Sequence, residues 1–189
     1  MRHNRRMPQS LDQHWHDLLF AVRKSVRYHE RRQRFFLACN RFVSFVTAAS
    51  GTSALVTLLN DADKAVVMAI ALLITLAGLL DLVFGTARRI SEHGNLAREF
   101  VALERRMTLA EPSPETLREL TAARLEIEER EPPILRVLNV LSHNDVMRSM
   151  GYPQSEWARV TPWQRRLAPF FDFRADRLSG ELTTSTETA

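Results

Sequence analysis

Hydrophobic and polar positions fall into two regimes along this chain. Phe42 to Leu59 and Ala65 to Ala87 are nearly unbroken apolar runs, joined by Asn60, Asp61, Ala62, Asp63 and Lys64. The first holds about 18 residues without a charge and the second about 23 with one, Asp81, where a helix needs roughly 20 to cross about 30 Å of hydrocarbon. Core helices of a soluble bundle usually keep a polar face, and these barely do. The pattern therefore predicts an all-α membrane protein built on a two-span transmembrane helical hairpin, with spans at about 42–59 and 65–87.

Outside the hairpin the apolar residues recur at helical spacing among many charges. Residues 1–9 are basic and aperiodic, a mobile arm. Ser10 with Gln13 fits a capping box. From there Leu11, Trp15, Leu18, Val22, Val26, His29, Gln33 and Phe36 form a stripe, and no Pro or Gly interrupts the chain until Gly51. One helix to about Leu59 is predicted, of which 10–41 is a cytoplasmic stalk. The second span continues in the same way: Ile90, His93, Leu96, Phe100, Leu103 and Met107 carry a second stalk helix over 88–111, stopped at Glu111-Pro112. Counting back from the turn puts Phe100 beside Ser25 and Met107 beside Leu18. Shorter cytoplasmic helices fill 112–178. One opens at Ser113-Pro114-Glu115 and carries Leu117, Leu120, Ala123, Leu125 and Ile127 to Pro132-Pro133, and the next runs Ile134 to Met150. An amphipathic helix over 162–178 opens at Thr161-Pro162. The tail 179–189 is poor in hydrophobics and is predicted to be disordered.

Charge adds orientation. The chain carries a formal net charge of +4, and its basic residues are arginines apart from Lys24 and Lys64. Arg23, Lys24, Arg27, Arg31, Arg32, Arg34 and Arg41 precede the first span and Arg88 and Arg89 follow the second, so both termini are expected on the cytoplasmic side. Arg41, Arg88 and Arg89 mark the membrane interface. The first apolar run begins too late for a cleavable signal peptide, leaving the hairpin as its own insertion signal. Cys39 is the single cysteine and has no partner within the chain.

Candidate chemistry is sparse. The sequence has no phosphate-cradling glycine loop, no nucleophile elbow and no metal-type Cys/His spacing, so neither an enzyme nor a cofactor or metal site is expected. His14 and His16 point to different sides of a helix. His29 and His93 come within a turn of each other under the stalk pairing, as an interfacial pair or a pH-sensitive contact. His143 and Asn144 are candidates for docking a helix or a partner. In the spans, Ser44, Thr47 and Gly51 form one small or polar stripe, and Ala71, Thr75, Gly78, Asp81, Leu82 and Gly85 another; Ser50, Ser53 and Thr57 make a third. Such stripes let helices approach closely in lipid, and the excess over one shared interface points to a homo-oligomer whose polar face could line a channel. Asp81 is either an anchor for Arg41 or the interface, or one member of a carboxylate ring at a pore mouth. Trp163, Phe170 and Phe171, interleaved with Arg165 and Arg166, suit a membrane interface or burial on a stalk. Direct nucleic-acid binding by the basic arm is the weakest partner reading.

From Trp15 to about Tyr152 the chain resembles the SMODS and SLOG-associating two-transmembrane effector domains, the SLATT family. The likeness is carried by Tyr28-His29-Glu30-Arg31-Arg32, the tight apolar hairpin, His93-x-x-Leu96-x-x-x-Phe100-x-x-Leu103-Glu104, Glu131-Pro132-Pro133-x-Leu135 and Leu141-Ser142-His143-Asn144. Ser142 stands where the family pattern has a cysteine. The resemblance implies an inner-membrane effector of a bacterial antiviral or conflict system, forming pores or perturbing the membrane when a separate cytoplasmic sensor or defence protein triggers it. The alternative is a non-conducting membrane-tethered scaffold that recruits a cytoplasmic defence enzyme.

Overall fold

A computed structural model of the chain gives, in order, α1 Leu11–Leu59, α2 Lys64–Phe84, α3 Thr86–Leu109, α4 Pro114–Glu128, α5 Arg136–Ser149, a 3-10 turn Gln154–Glu156 and α6 Pro162–Leu167. It describes residues 10–59 and 63–170, except for the side chains at 53–59, 80, 81 and 84. Among the described residues there is no strand, and the fold is all-α. The arm 1–9, Asn60, Asp61 and Ala62, the side chains of Ser53, Thr57 and Asp81, Phe171 and the tail 179–189 lie outside the described residues.

The chain divides into two compact units: residues up to 30 together with those from 95 onward, and residues 31–94. The division falls inside the expected stalk, because the helices after Leu109 build their core around only the first part of α1. That core joins Leu18, Val22 and Val26 of α1 to Leu96, Phe100, Leu103 and Met107 of α3 and to Leu120 and Ile127 of α4. Complete burial of each such side chain contributes roughly 1.5–3 kcal/mol. A second cluster gathers Tyr28, Val137, Leu138, Val140, Leu141 and Ala168. Helix α5 buries Val137, Leu138, Val140, Leu141, Ser142, Val146 and Met147, more than one face of it, because α1 covers one side and α6 another.

Local signals explain the boundaries. Ser10 and Gln13 close a reciprocal cap at 3.1 and 3.3 Å. Ser113 accepts from the Thr116 amide at 3.0 Å with Pro114 in the first turn, and Thr161 with Gln164 forms a complete capping box. Gly151, at φ 82°, ends α5 with Tyr152 N–H donating to Met147 O at 3.0 Å, a six-to-one closure that requires a left-handed residue.

In the second unit α1 and the start of α3 lie side by side. The Phe36 and His93 rings stack at 5.8 Å and 12°, the Arg32 guanidinium sits 4.6 Å from the Phe36 ring centre, and Thr86 Oγ1 donates to Asn40 Oδ1 at 3.5 Å. Gly94 admits Gln33: a Cβ there would meet Gln33 Nε2 at 2.5 Å. Helix α2 is covered along Val67, Ile70, Ile74 and Ala77, at spacings of three and four, and its other described side chains are exposed. Among the described residues no helix is long and apolar enough to cross a membrane. Positions 80, 81 and 84 of α2 are not among the side chains described.

Four expectations about elements change. The second span does not run straight into its stalk: the helix breaks at Gly85, φ 53°, between α2 and α3. The helix expected from Ile134 begins at Arg136, with Leu135 extended after Pro132-Pro133. The last helix is interrupted after Leu167, where Pro169 has no amide hydrogen to continue the ladder, and residues 171–178 of the expected element lie outside the described residues. The antiparallel register is also shifted, with Arg23 Nε donating to Glu104 at 2.7 Å and Phe100 stacked on His29 rather than beside Ser25. Interlocking side chains set that register, not equal counts from the turn.

Candidate functional site

In the first unit Tyr28 and His29 of α1 meet the link that runs from Glu131 to Leu135. His29, 1% exposed, faces Glu131, 7% exposed, with Nε2 and Oε1 3.0 Å apart. Its ring stacks on Phe100 at 5.7 Å and stands edge-on to Tyr28 at 5.3 Å. The Tyr28 hydroxyl accepts from the Leu135 amide at 3.0 Å, satisfying a donor at the start of α5 where no local side chain caps it. Two neighbouring residues of α1 thus hold both ends of the Glu131-Pro132-Pro133-x-Leu135 link.

A titratable cluster adjoins this joint. Burial lowers the Lys24 ammonium pKa from its ordinary value; Arg124 adds to the shift, while Glu128 and Glu131 oppose it. Arg124 donates to Glu128 through Nε and Nη2 at 2.8 and 2.7 Å. His143, half-buried against Phe20 at 4.9 Å, is also lowered, first by burial and then by the charge of Lys24. Asn144 clamps the later chain, its Nδ2 donating to Ala158 O at 2.7 Å and its Oδ1 accepting from Ala158 N at 3.0 Å. His16 meets the Tyr152 hydroxyl at 2.8 Å. His143 therefore faces α1, while Asn144 ties the 158–168 segment to α5. An open cavity of about 400 Å³ lined by Arg23, Val26, Arg27, Glu104 and Ser149 lies nearby, with Arg23 held by Glu104 and Arg27 3.6 Å from Glu30. Among the described residues no group of three or more His, Cys, Asp or Glu could hold a metal ion.

The hairpin candidates take different places. Ser44, Thr47, Ala71, Thr75 and Gly78 are exposed, Gly51 and Gly85 are half-buried, and Ser50, from the third stripe, is buried. The covered face of α2 runs one step to the side of Ala71, Thr75 and Gly78. A Cβ added at Gly51 or Gly78 would meet nothing within 4 Å. Thr75 Oγ1 donates back to Ala71 O at 2.9 Å, so its hydroxyl proton is satisfied without a second helix. Leu82, grouped with this stripe, is exposed.

Within the first unit His29 meets Glu131 and Phe100, and within the second His93 stacks on Phe36. Arg41 is exposed. Arg88 and Arg89 both reach Glu92, at 2.5 and 3.6 Å. Trp163 and Phe170 are exposed in the single chain, which bears on its own stalk and not on a neighbouring copy's. Sequence reasoning named Tyr28 and Glu131 without a role for either. The signal was available in part: two prolines after an acidic residue cannot cap the next helix, so another element has to supply an acceptor. No family model, curated protein or solved structure matches the chain.

Proposed function

We propose that this chain is a bacterial inner-membrane protein with cytoplasmic termini that works as a homo-oligomer, a pore-forming or membrane-perturbing effector set off by a separate sensor or defence protein. The observation that carries the membrane part is the exterior of α2. Met68, Leu72, Leu82 and Val83 are 72%, 70%, 78% and 78% exposed, and Val66, Leu73, Leu76 and Leu79 are exposed with them. Contiguous apolar surface on this scale is rare where a protein faces water. The sequence places Lys64 at one end of this helix and Arg88 and Arg89 past the other. Phe42 and Phe45 continue the apolar surface on α1.

The oligomer is supported by the small and hydroxyl stripe that covered helix faces leave unused, Ser44 and Thr47 on α1 and Ala71, Thr75 and Gly78 on α2. One hairpin cannot enclose water, so conduction needs several copies. The effector role comes from the resemblance to the SLATT family. The purified chain reconstituted into vesicles with an encapsulated dye is expected to float with the lipid, cross-link as an oligomer and release dye on triggering. A chain that stays monomeric and retains the dye under every trigger sinks the pore reading, and one left in the aqueous phase without detergent sinks the membrane reading too.

A further inference from the structure

We propose that α6 and the turn after it form a second, peripheral membrane contact that takes anionic lipid headgroups. This rests on the membrane half of the preceding reading and is independent of whether the protein conducts.

The inner face of α6 is fixed. Gln164 is buried and completes the Thr161 capping box, and Ala168, 1% exposed, enters the cluster of Tyr28, Val137, Leu138, Val140 and Leu141. That docking turns the other face outward. Trp163, 72% exposed, and Arg166 lie one turn apart on it, Arg165 is exposed beside them, and Phe170, 55% exposed, follows on the turn beyond.

Charge selects the occupant. Between Glu156 and Asp172 the sequence carries Arg159, Arg165 and Arg166 and no acidic residue. All three are exposed, and among the described residues none is in an ion pair, whereas Arg23, Arg88, Arg106, Arg124 and Arg130 each hold a carboxylate. A large exposed indole with a polar N–H, next to arginines that hold no carboxylate among the described residues, matches the chemistry of a headgroup layer: apolar ring below, phosphate above. Each basic residue near an anionic surface strengthens binding about fivefold.

Trp163 reports on the contact directly. The full chain is reconstituted into vesicles of phosphatidylcholine with brominated phosphatidylglycerol, or of brominated phosphatidylcholine alone, and tryptophan emission is followed. Emission is expected to be quenched more by the brominated phosphatidylglycerol, and Trp163→Ala should lose that extra quenching. Arg165→Gln with Arg166→Gln, at exposed positions that leave the buried face intact, should weaken the contact about 25-fold, read as a higher brominated phosphatidylglycerol content needed for half-quenching. Equal quenching of native and Trp163→Ala chains overturns the proposal, as does equal quenching by the two lipids. Shielding of Trp163 from both lipids and from aqueous acrylamide also overturns it and identifies a protein occupant. Flotation resistant to alkaline carbonate reports hairpin insertion separately, so a chain that floats without Trp163 quenching loses only this inference.

Discussion

Single residues carry the joint between α1 and the link before α5. Tyr28 does so with one oxygen: Tyr28→Phe keeps the ring and removes the acceptor for the Leu135 amide, and is expected to cost about 1 kcal/mol in chemical unfolding. Glu131→Ala leaves His29 buried without its carboxylate and should cost more, about 3 kcal/mol. If both substitutions left stability unchanged, the link would be held elsewhere.

His143 adds a pH dependence whose sign follows from its surroundings. Its pKa is lowered by burial and by Lys24, so the unfolded chain binds a proton at a higher pH than the native one. Its contribution is intact above the ordinary histidine value and is lost as pH falls from there through the lowered native value. The slope from one proton cannot exceed about 1.4 kcal/mol per pH unit. His143→Gln should flatten the loss of stability just below pH 6.5, the ordinary histidine value, relative to the native chain; an unchanged profile would reject the assignment.

At the scale of elements, backbone conformation decides where helices end. Gly85 and Gly151 both adopt positive φ with open space where a Cβ would go, so alanine at either pays the left-handed penalty alone, about 1 kcal/mol. Gly78 is helical and equally open, and Gly78→Ala should be neutral or stabilising by up to about 1 kcal/mol. Thermal unfolding of the three variants in one detergent checks the contrast; a loss at Gly78 matching that at Gly85 would contradict it. The same physics separates the expected continuous second helix from the observed α2 and α3. Spacing of apolar residues is blind to a left-handed residue that leaves the pattern on either side in phase.

For the whole molecule, the division of labour lies between a conventionally packed bundle and an apolar hairpin with an exposed exterior. The first unit buries its stripes on α1, α3 and α4. The hairpin instead covers a narrow face of α2 and leaves the small stripe open. Gly78→Leu tests what that stripe is for. Among the described residues nothing lies within 4 Å of the new side chain's first carbon, so a monomer should fold normally, while an oligomer packed through the stripe should be lost in cross-linking. A native-like oligomer from the variant would move the subunit contact elsewhere.

The sequence by itself determined what periodicity and covalent constraint encode. These are an all-helical chain, the run of α1 from Leu11 to Leu59, the caps at Ser10, Ser113 and Thr161, and the core positions Leu18, Val22, Val26, Phe100 and Met107. Each is local, because spacings of three and four and a hydroxyl before a helix act within a few residues. Only the tertiary structure decided that Tyr28 and His29 reach residues 131 and 135, that Asn144 clamps Ala158, and that Trp163 faces outward while Gln164 faces in. Those outcomes depend on which elements share a surface, and many arrangements satisfy the same stripes. The hairpin keeps both characters: its length and apolarity are written in the chain, whereas the face left open to another molecule is fixed by which residues its own helices cover.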